Sequence, residues 1–301
     1  MAGEVRVQAV MILALNGGSS GGEKSAKDGA EADDAADGEV RRFNAAVRDI
    51  RDELAPVRAH GILELRNMVL ARSPVLQAGS ARLEATISLF VDMVKSPDSF
   101  VHLNAVRGLA ALADAHGRLF IPRLVAMYCG GDAGSQGIPS LDEHVRVGEA
   151  LMQSVRRAGM MLGEYAELVV PALLDEVRRE HVDAESAVRR HSALAILAMC
   201  AETSALALHR WVGEITAVVE DILLVAEPVV RRAAVVLWQS LVRGYGDRVQ
   251  RLVEPRELRR MYGVLRRTAD GDTDEITQMQ AHIAVADLDD LVRDQLFTQY
   301  L

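Results

Sequence analysis

The sequence is poor in aromatic residues and cysteine, and each shortage narrows the class of protein. Only 4% of the 301 residues are aromatic, while alanine, leucine, valine and arginine recur throughout. That composition favours helices over sheets. The two cysteines, Cys129 and Cys200, are too few for a disulfide framework and are not spaced like zinc ligands. Their scarcity is compatible with a reducing compartment.

The chain also lacks an excess of positive charge and a long apolar run. Its 34 basic and 43 acidic side chains give a formal net charge of −9, which argues against direct nucleic-acid binding and is compatible with basic protein partners. No run of about 18 apolar residues is visible, so the sequence predicts no transmembrane segment. The apolar stretch 9–15 is short for a signal peptide, and Glu4 lies where such a peptide should be basic. Residues 1–16 are predicted to be a helix remaining from a preceding repeat.

What the sequence does contain is a valine that returns every 42 to 44 residues with similar neighbours. Five segments align on it, and a looser sixth copy surrounds Ile276; the five valines are Val57, Val101, Val145, Val188 and Val230. Five residues after each valine comes a small or apolar residue, a spacing that keeps one helix face apolar: Ile62, Val106, Ala150, Ala193 and Val235. A fixed helical period of this length is typical of HEAT and armadillo repeats.

The predicted fold is therefore all-α, a HEAT/armadillo-like α-solenoid of about six helical-hairpin repeats over residues 39–301. Residues 17–38 contain no large apolar side chain and are predicted to be a disordered, low-complexity insertion. The helices are predicted at about residues 40–54, 56–72, 83–95, 119–129, 141–162, 165–180, 187–200, 206–225, 228–245, 255–269 and 273–297, with another after Asp98. Trp211, Trp238 and Tyr165 occupy apolar helix positions and are predicted to lie in the core.

Motifs of catalysis and metal binding are present only in fragments. The sequence GGSSG at 17–21 resembles a nucleophile elbow but lacks the flanking strand and helix. GGDAGSQG at 130–137 lacks the ending of a phosphate-binding loop. Two His/Glu pairs at helical spacing have no third metal ligand placed by the sequence; they are His60 with Glu64 and His181 with Glu185.

One further fragment begins like a calcium-binding loop, with Asp270, Asp272 and Asp274. Glu275 stands where that loop needs glycine and Ala281 where it needs glutamate, so the loop could not close around the ion. The aspartates are interpreted as an acidic cap on the last helix. The sequence therefore predicts no catalytic residue, no metal site and no cofactor.

The repeats carry one candidate interaction feature, a basic residue directly after each of the five valines. An acid lies three residues before four of those valines: Asp98, Asp142, Glu185 and Glu227. The basic residues form either a structural ladder between repeats or a stripe that binds an acidic peptide. Their placement at the packing period favours the ladder. They are Arg58, His102, Arg146, Arg189 and Arg231.

The repeat segments also resemble one eukaryotic family. The segments LAPVRAHGILELRNMV, KSPDSFVHLNAVRGLAALAD and VRVGEALMQSVRRAGMMLGEY, with EPVVRRAAVVLWQSLVRG near the end, are similar to the C-terminal helical-repeat region of the RNA polymerase II nuclear-transport and assembly factors. In animals this family is known as transport and Golgi organization protein 6. The likeness covers about residues 40–298, whereas the large N-terminal part of such proteins is missing from this chain.

The resemblance implies a non-enzymatic cytoplasmic scaffold that supports assembly and nuclear import of RNA polymerase II, with shuttling to the nucleus as a further expectation. Polymerase subunits and import or chaperone factors are the implied partners, and no catalytic residues come with the family. The alternative is a Golgi-associated membrane-traffic adaptor that acts in Golgi organisation and secretion, with peripheral membrane association.

Overall fold

A computed structural model describes residues 28–130, 140–179 and 185–298, and the regular elements in these ranges are all helices. The predicted all-α fold is confirmed. The predicted helix over 1–16, the GGSSG motif and residues 17–27 of the predicted insertion lie outside the described residues. Residues 28–38 form the first part of a helix that begins at Asp28.

The described ranges contain thirteen α-helices, and twelve of them form six consecutive pairs. The pairs are α1 (Asp28–Ile50) with α2 (Ala55–Leu70), α3 (Ala81–Val94) with α4 (Ser99–Ala115), α5 (Gly117–Tyr128) with α6 (Leu141–Ala158), α7 (Ala166–Arg178) with α8 (Glu185–Ser204), α9 (Val212–Val225) with α10 (Pro228–Tyr245), and α12 (Pro255–Gly271) with α13 (Glu275–Thr298). The single turn α11 (Val249–Leu252) and four short 3-10 helices connect them; the latter are Pro74–Leu76, Gly159–Glu164, Ala205–Trp211 and Gly246–Arg248.

Local sequence explains where the helices begin and end. Prolines occupy the first turns of α2, α10 and α12, where a missing N–H is tolerated. The side chain of Asp98 accepts hydrogen bonds from the N–H groups of Phe100 and Val101 and caps α4. Two predicted helices are shorter than expected: 141–162 ends at Ala158, because Gly159 has φ of 53°, and the first part of 206–225 is a 3-10 helix.

The chain divides into two compact units, with the boundary after Leu124, inside α5. In the first unit α2 contacts both α1 and α4, and α3 packs on α4. Arg123 Nη1 of α5 lies 2.6 Å from Glu84 Oε2 of α3. The fully buried side chains Phe43, Leu65 and Phe90 fill the space between these helices.

In the second unit the second helices of successive pairs contact one another in the order α6, α8, α10 and α13. α8, α10 and α13 each also pack against their own first helix, so they are buried on two sides. Buried residues accordingly occur as adjacent pairs in the sequence, such as Ala193–Leu194 and Ile196–Leu197 of α8. This is a broader apolar stripe than an ordinary amphipathic surface helix presents. Trp238 of α10 is fully buried, as predicted, while Trp211 and Tyr165 are half-buried.

Within the described residues, one stretch, Glu185–Val225, is long and apolar enough by composition to cross a membrane, with a mean hydropathy of 1.4 in an 18-residue window. Half of that window is buried inside the protein. It comprises α8, a 3-10 helix and α9, and the packing of α8 between its neighbours accounts for its apolar composition.

Candidate protein-interaction surface

Three of the five basic residues at the repeat period contact the turn within a helix pair. Arg58 Nη1 donates to the carbonyl oxygens of Asp52 and Glu53 at 3.2 and 3.0 Å. His102 Nδ1 lies 3.2 Å from the carbonyl oxygen of Ser96. Arg231 Nη1 donates to that of Ala226 at 2.6 Å. Each of these carbonyls belongs to the last residues of the first helix or to the turn that follows it.

In the other three pairs a neighbouring residue does the same. His144 Nδ1 lies 3.1 Å from the carbonyl oxygen of Tyr128. Arg190 Nε donates to that of Val177 at 3.0 Å, and Gln278 Nε2 donates to that of Asp272 at 2.6 Å. We call the six donors the hairpin clamps: Arg58, His102, His144, Arg190, Arg231 and Gln278. Sequence reasoning missed His144, Arg190 and Gln278, although a donor in the first two turns of every second helix was visible.

The hairpin clamps satisfy a requirement of helix ends. The last four carbonyls of an α-helix have no partner within the helix, and they carry the negative end of its dipole. His144 and Arg190 satisfy such helix-end carbonyls, those of Tyr128 and Val177. The other four clamps donate to carbonyls of the turn that follows, and every clamp ties the second helix of its pair to the end of the first.

Two residues of the predicted set have other positions. Arg189 is buried, with Nη2 at 3.5 Å from Glu185 Oε2, and it occupies the slot that Val101 and Val230 fill in other second helices. Arg146 is half-buried. Arg231 additionally reaches the next pair, where its guanidinium binds both carboxylate oxygens of Asp272 at 2.9 and 2.7 Å.

A polar cluster is enclosed between α5, α6 and α8 in the second unit. The Tyr128 hydroxyl lies 2.9 Å from Ser192 Oγ, and its ring stacks on His144 with centroids 4.1 Å apart. Gly148 makes room for both contacts, since a Cβ there would lie 2.9 Å from the tyrosine ring and 3.0 Å from Ser192 Oγ. Burial raises the pKa of Tyr128 well above its usual value, so the phenol stays neutral.

The two cysteine thiols are also weak nucleophiles. Burial raises the pKa of Cys129 and of Cys200 to about 12. Both thiols are therefore protonated near neutral pH, and a protonated thiol is a poor nucleophile.

The fragments that resembled metal sites are occupied by internal contacts. Asp274 Oδ2 accepts from the backbone N–H of Thr277 at 2.9 Å and from its hydroxyl at 2.6 Å, which caps α13 as the sequence indicated. The Arg232 guanidinium and Thr277 hold the pKa of Asp274 well below its usual range. His60 contacts Asp49, Glu64 contacts Arg42, and His181 lies outside the described residues. In the described ranges no cluster of three or more His, Cys, Asp or Glu residues could hold a metal ion.

The repeat valines themselves do not share one environment. Val101 and Val230 are fully buried, whereas Val145 and Val188 are exposed, as is Ile276. The five residues that follow at the helical spacing, from Ile62 to Val235, are all buried, so the predicted apolar face is present even where the marker valine is not on it.

The exposed positions form a regular set in the second unit. Each of its four second helices carries a branched apolar side chain, 40–44% exposed, in or next to its first turn. We call this set the apolar row: Val145 of α6, Val188 of α8, Val229 of α10 and Ile276 of α13. An exposed or half-exposed acid precedes each one: Asp142, Glu185, Glu227 and Glu275.

Successive helix pairs whose second helices pack against one another within each unit define a helical-repeat protein of the HEAT/armadillo type. Solved structures agree with this class. Kap121p has 10% identity over 96% of this chain and 29% of that chain, with a TM-score of 0.54. Kap121p bound to Pho4p has 11% identity over 97% of this chain and 30% of that chain, with a TM-score of 0.53. At these identities the likeness shows the fold alone.

Sequence comparison finds relatives among RNA polymerase II assembly factors. Residues 43–161 match the family described as "Required for nuclear transport of RNA pol II C-terminus 1". RNA polymerase II assembly factor RTP1 of Saccharomyces cerevisiae is 26% identical over 68% of this chain and 21% of its own length. The assembly factor rtp1 of Schizosaccharomyces pombe is 21% identical over 47% of this chain and 17% of its own length. Over these segments the chain is similar to the RNA polymerase II assembly factors, and it spans about one fifth of the length of these relatives.

Proposed function

We propose that this chain is a non-enzymatic helical-repeat scaffold that supports RNA polymerase II assembly through protein–protein contacts. The observation that carries the proposal is the match of residues 43–161 to the nuclear-transport family, together with the two assembly factors that are its relatives. Polymerase subunits and import or chaperone factors are the proposed partners. The proposed location is the cytoplasm, with transport of the assembled enzyme to the nucleus.

The chemistry of the described residues supports a scaffold. Asp274 caps a helix, Arg231 and Asp272 form an ion pair, and the thiols of Cys129 and Cys200 are protonated. An enzyme would need a nucleophile next to a base, or a positioned metal, in a concave site. The described helices instead offer repeated surface.

The five periodic residues Arg58, His102, Arg146, Arg189 and Arg231 are proposed to be structural. Three of them are hairpin clamps, Arg189 is buried, and Arg231 also joins two pairs. A stripe that captures an acidic peptide would need these groups exposed and unpaired.

The alternative of a Golgi adaptor draws no support from the comparisons, because neither the family description nor the relatives' names mention such a role.

Affinity purification of the tagged chain from its source cell tests the proposal. We expect polymerase II subunits to be enriched over a tagged helical-repeat protein of another family and similar size. After depletion of the protein, the largest polymerase subunit should accumulate in the cytoplasm. Enrichment of coat or tethering proteins instead of polymerase subunits would contradict the proposal.

A further inference from the structure

We propose that the apolar row of the second unit, with the acids in front of it, binds an extended basic segment of a partner protein that carries an apolar residue at about every third position. This inference rests on the proposed function, because it names the chemistry of the partner that a scaffold would hold. The occupant is a peptide segment of a protein.

The apolar row is placed for one continuous contact. Val188, Val229 and Ile276 each lie two residues before the hairpin clamp of their helix, and Val145 lies one residue after His144, about one turn further along α6. All four are in or beside the first turn, and the four helices contact one another in the order α6, α8, α10 and α13. Single exposed apolar residues are normal on a protein surface. Four near the same end of four consecutive neighbours form a row of branched side chains.

The charge beside the apolar row is negative. Asp142 and Glu185 lie three residues before Val145 and Val188, Glu227 lies two residues before Val229, and Glu275 directly precedes Ile276. Within the described residues, Asp142, Glu227 and Glu275 form no ion pair; Glu185 is half-exposed, at 3.5 Å from the buried Arg189.

Apart from Arg189, which lies 3.5 Å from Glu185, the neighbouring basic side chains are turned to contacts other than these acids. Arg190 is a hairpin clamp, Arg231 binds Asp272 and Ala226, and Arg232 Nε lies 2.8 Å from Asp274 Oδ2. Arg146 is engaged within the chain as well. The side chains left to meet a partner are therefore acids and branched apolar groups, which are complementary to a basic and apolar segment.

The spacing of the helices selects an extended segment. Packed helices lie about 8–10 Å apart. A polyproline II segment rises about 3.1 Å per residue with three residues per turn, so every third side chain returns to the same side after about 9 Å. A segment with an apolar residue at every third position would place one on each member of the apolar row. The two residues between them would reach the acids, and about twelve residues would cover four helices.

Fluorescence anisotropy with the full chain tests the proposal directly. The probe is a labelled peptide of about twelve residues with leucine at every third position and lysine between. The comparison peptides are one of the same composition with its leucines grouped, and one with glutamate replacing lysine. We expect the periodic lysine peptide to bind at least about fivefold more tightly than either, and its affinity to fall as salt screens the acids.

Variants locate the binding on the chain. The double variant Val188→Ser/Val229→Ser removes two members of the apolar row, and Glu227→Lys/Glu275→Lys reverses two of the acids. Each should weaken binding of the periodic peptide by about tenfold while the helical circular dichroism and melting temperature change little.

The chain offers closely matched controls. Glu254, like Glu227, is exposed, occupies an N-cap position without a side-chain cap bond and precedes a proline, but it begins α12, the first helix of a pair. Leu206 is 50% exposed and lies outside the apolar row. Glu254→Lys and Leu206→Ser should leave peptide affinity within about twofold of the original.

Two results would overturn the inference: equal affinity for the periodic and grouped peptides, or equal weakening by row and control variants. Polymerase subunits would still co-purify with the chain in either case if the proposed function is right. The inference and the proposed function can therefore fail separately.

Discussion

At the scale of single residues, the contacts that hold this protein together are capped helix ends and a few enclosed ion pairs. Arg231 combines both roles. Its side chain and that of Asp272 are 12% and 6% exposed, and the pair joins α10 to the turn between α12 and α13. A charge pair so far removed from water is strongly destabilising when only one partner is removed.

Replacing Arg231 by methionine should therefore lower the free energy of unfolding by about 2–4 kcal/mol, since it leaves the Asp272 carboxylate and the Ala226 carbonyl short of a donor. Urea denaturation measures the change. Arg266→Met is the control, because Arg266 pairs with Asp270 on an exposed helix surface at i,i+4; it should cost less than about 0.5 kcal/mol. Equal effects of the two variants would show that enclosure of the Arg231 pair is unimportant.

Asp274 gives the stability a pH dependence. Its pKa is held below its usual range by Arg232 and Thr277, so the folded state favours the ionised carboxylate. That contribution is complete above the unfolded pKa of about 3.9 and is lost as the pH falls towards the folded pKa.

The stability difference between the original protein and Asp274→Asn should accordingly be constant above about pH 5 and shrink below about pH 4. Denaturation at a series of pH values measures it, with Asp270→Asn as a control that removes an exposed carboxylate near the same turn. A difference that stays constant down to pH 2.5 would contradict the assignment.

At the scale of elements, most of the packing within each unit is made by the second helices, which contact one another and the first helices of their pairs. Close approach of backbones is part of that packing. At Gly61 in α2, an added Cβ would lie 2.5 Å from the carbonyl oxygen of Ala46 and 2.8 Å from the nitrogen of Ile50 in α1. These are backbone atoms, which cannot move aside without shifting the helix.

Gly61→Ala should lower the free energy of unfolding by about 1–3 kcal/mol through overpacking. Gly263 provides the opposite case, since it also lies inside a helix and a Cβ there would meet nothing within 4 Å. Gly263→Ala should raise stability by about 0.5–1 kcal/mol, because alanine loses less backbone freedom in a helix. Thermal melting should show a lower melting temperature for Gly61→Ala and a higher one for Gly263→Ala. A shift in the same direction for both would refute the close approach of α1 and α2.

At the scale of the whole molecule, stability comes from an aliphatic core carried by repeated helices, and the two thiols report on its integrity. Cys200 is fully buried in α8, and burial raises its pKa to about 12. A thiol reagent can reach it only when the protein opens.

In a Cys129→Ser background, Cys200 should react with a thiol reagent at pH 8 at least about a hundredfold more slowly in the native protein than in concentrated urea. The reaction rate should rise together with the loss of helical circular dichroism. Fast labelling of the native protein would mean that α8 opens locally while the rest stays folded.

The sequence by itself determined the helical class, the paired architecture and most of the buried face. The helical period can be read directly from the sequence, and the five residues that it assigns to the apolar face are all buried: Ile62, Val106, Ala150, Ala193 and Val235. The interpretation of Asp274 as a cap also follows from local sequence, since a cap and its helix are adjacent.

Only the tertiary structure decided which side chain of each repeat is enclosed. A shift of one residue rotates a side chain by about 100° around the helix, so Arg189 is buried while Val188 is exposed, although the sequence aligns Val188 with the buried Val230. The sequence alone also could not predict the contact partners of the basic residues. Arg231 finds Asp272 41 positions along the chain, and only the packing of one repeat on the next brings two such charges together.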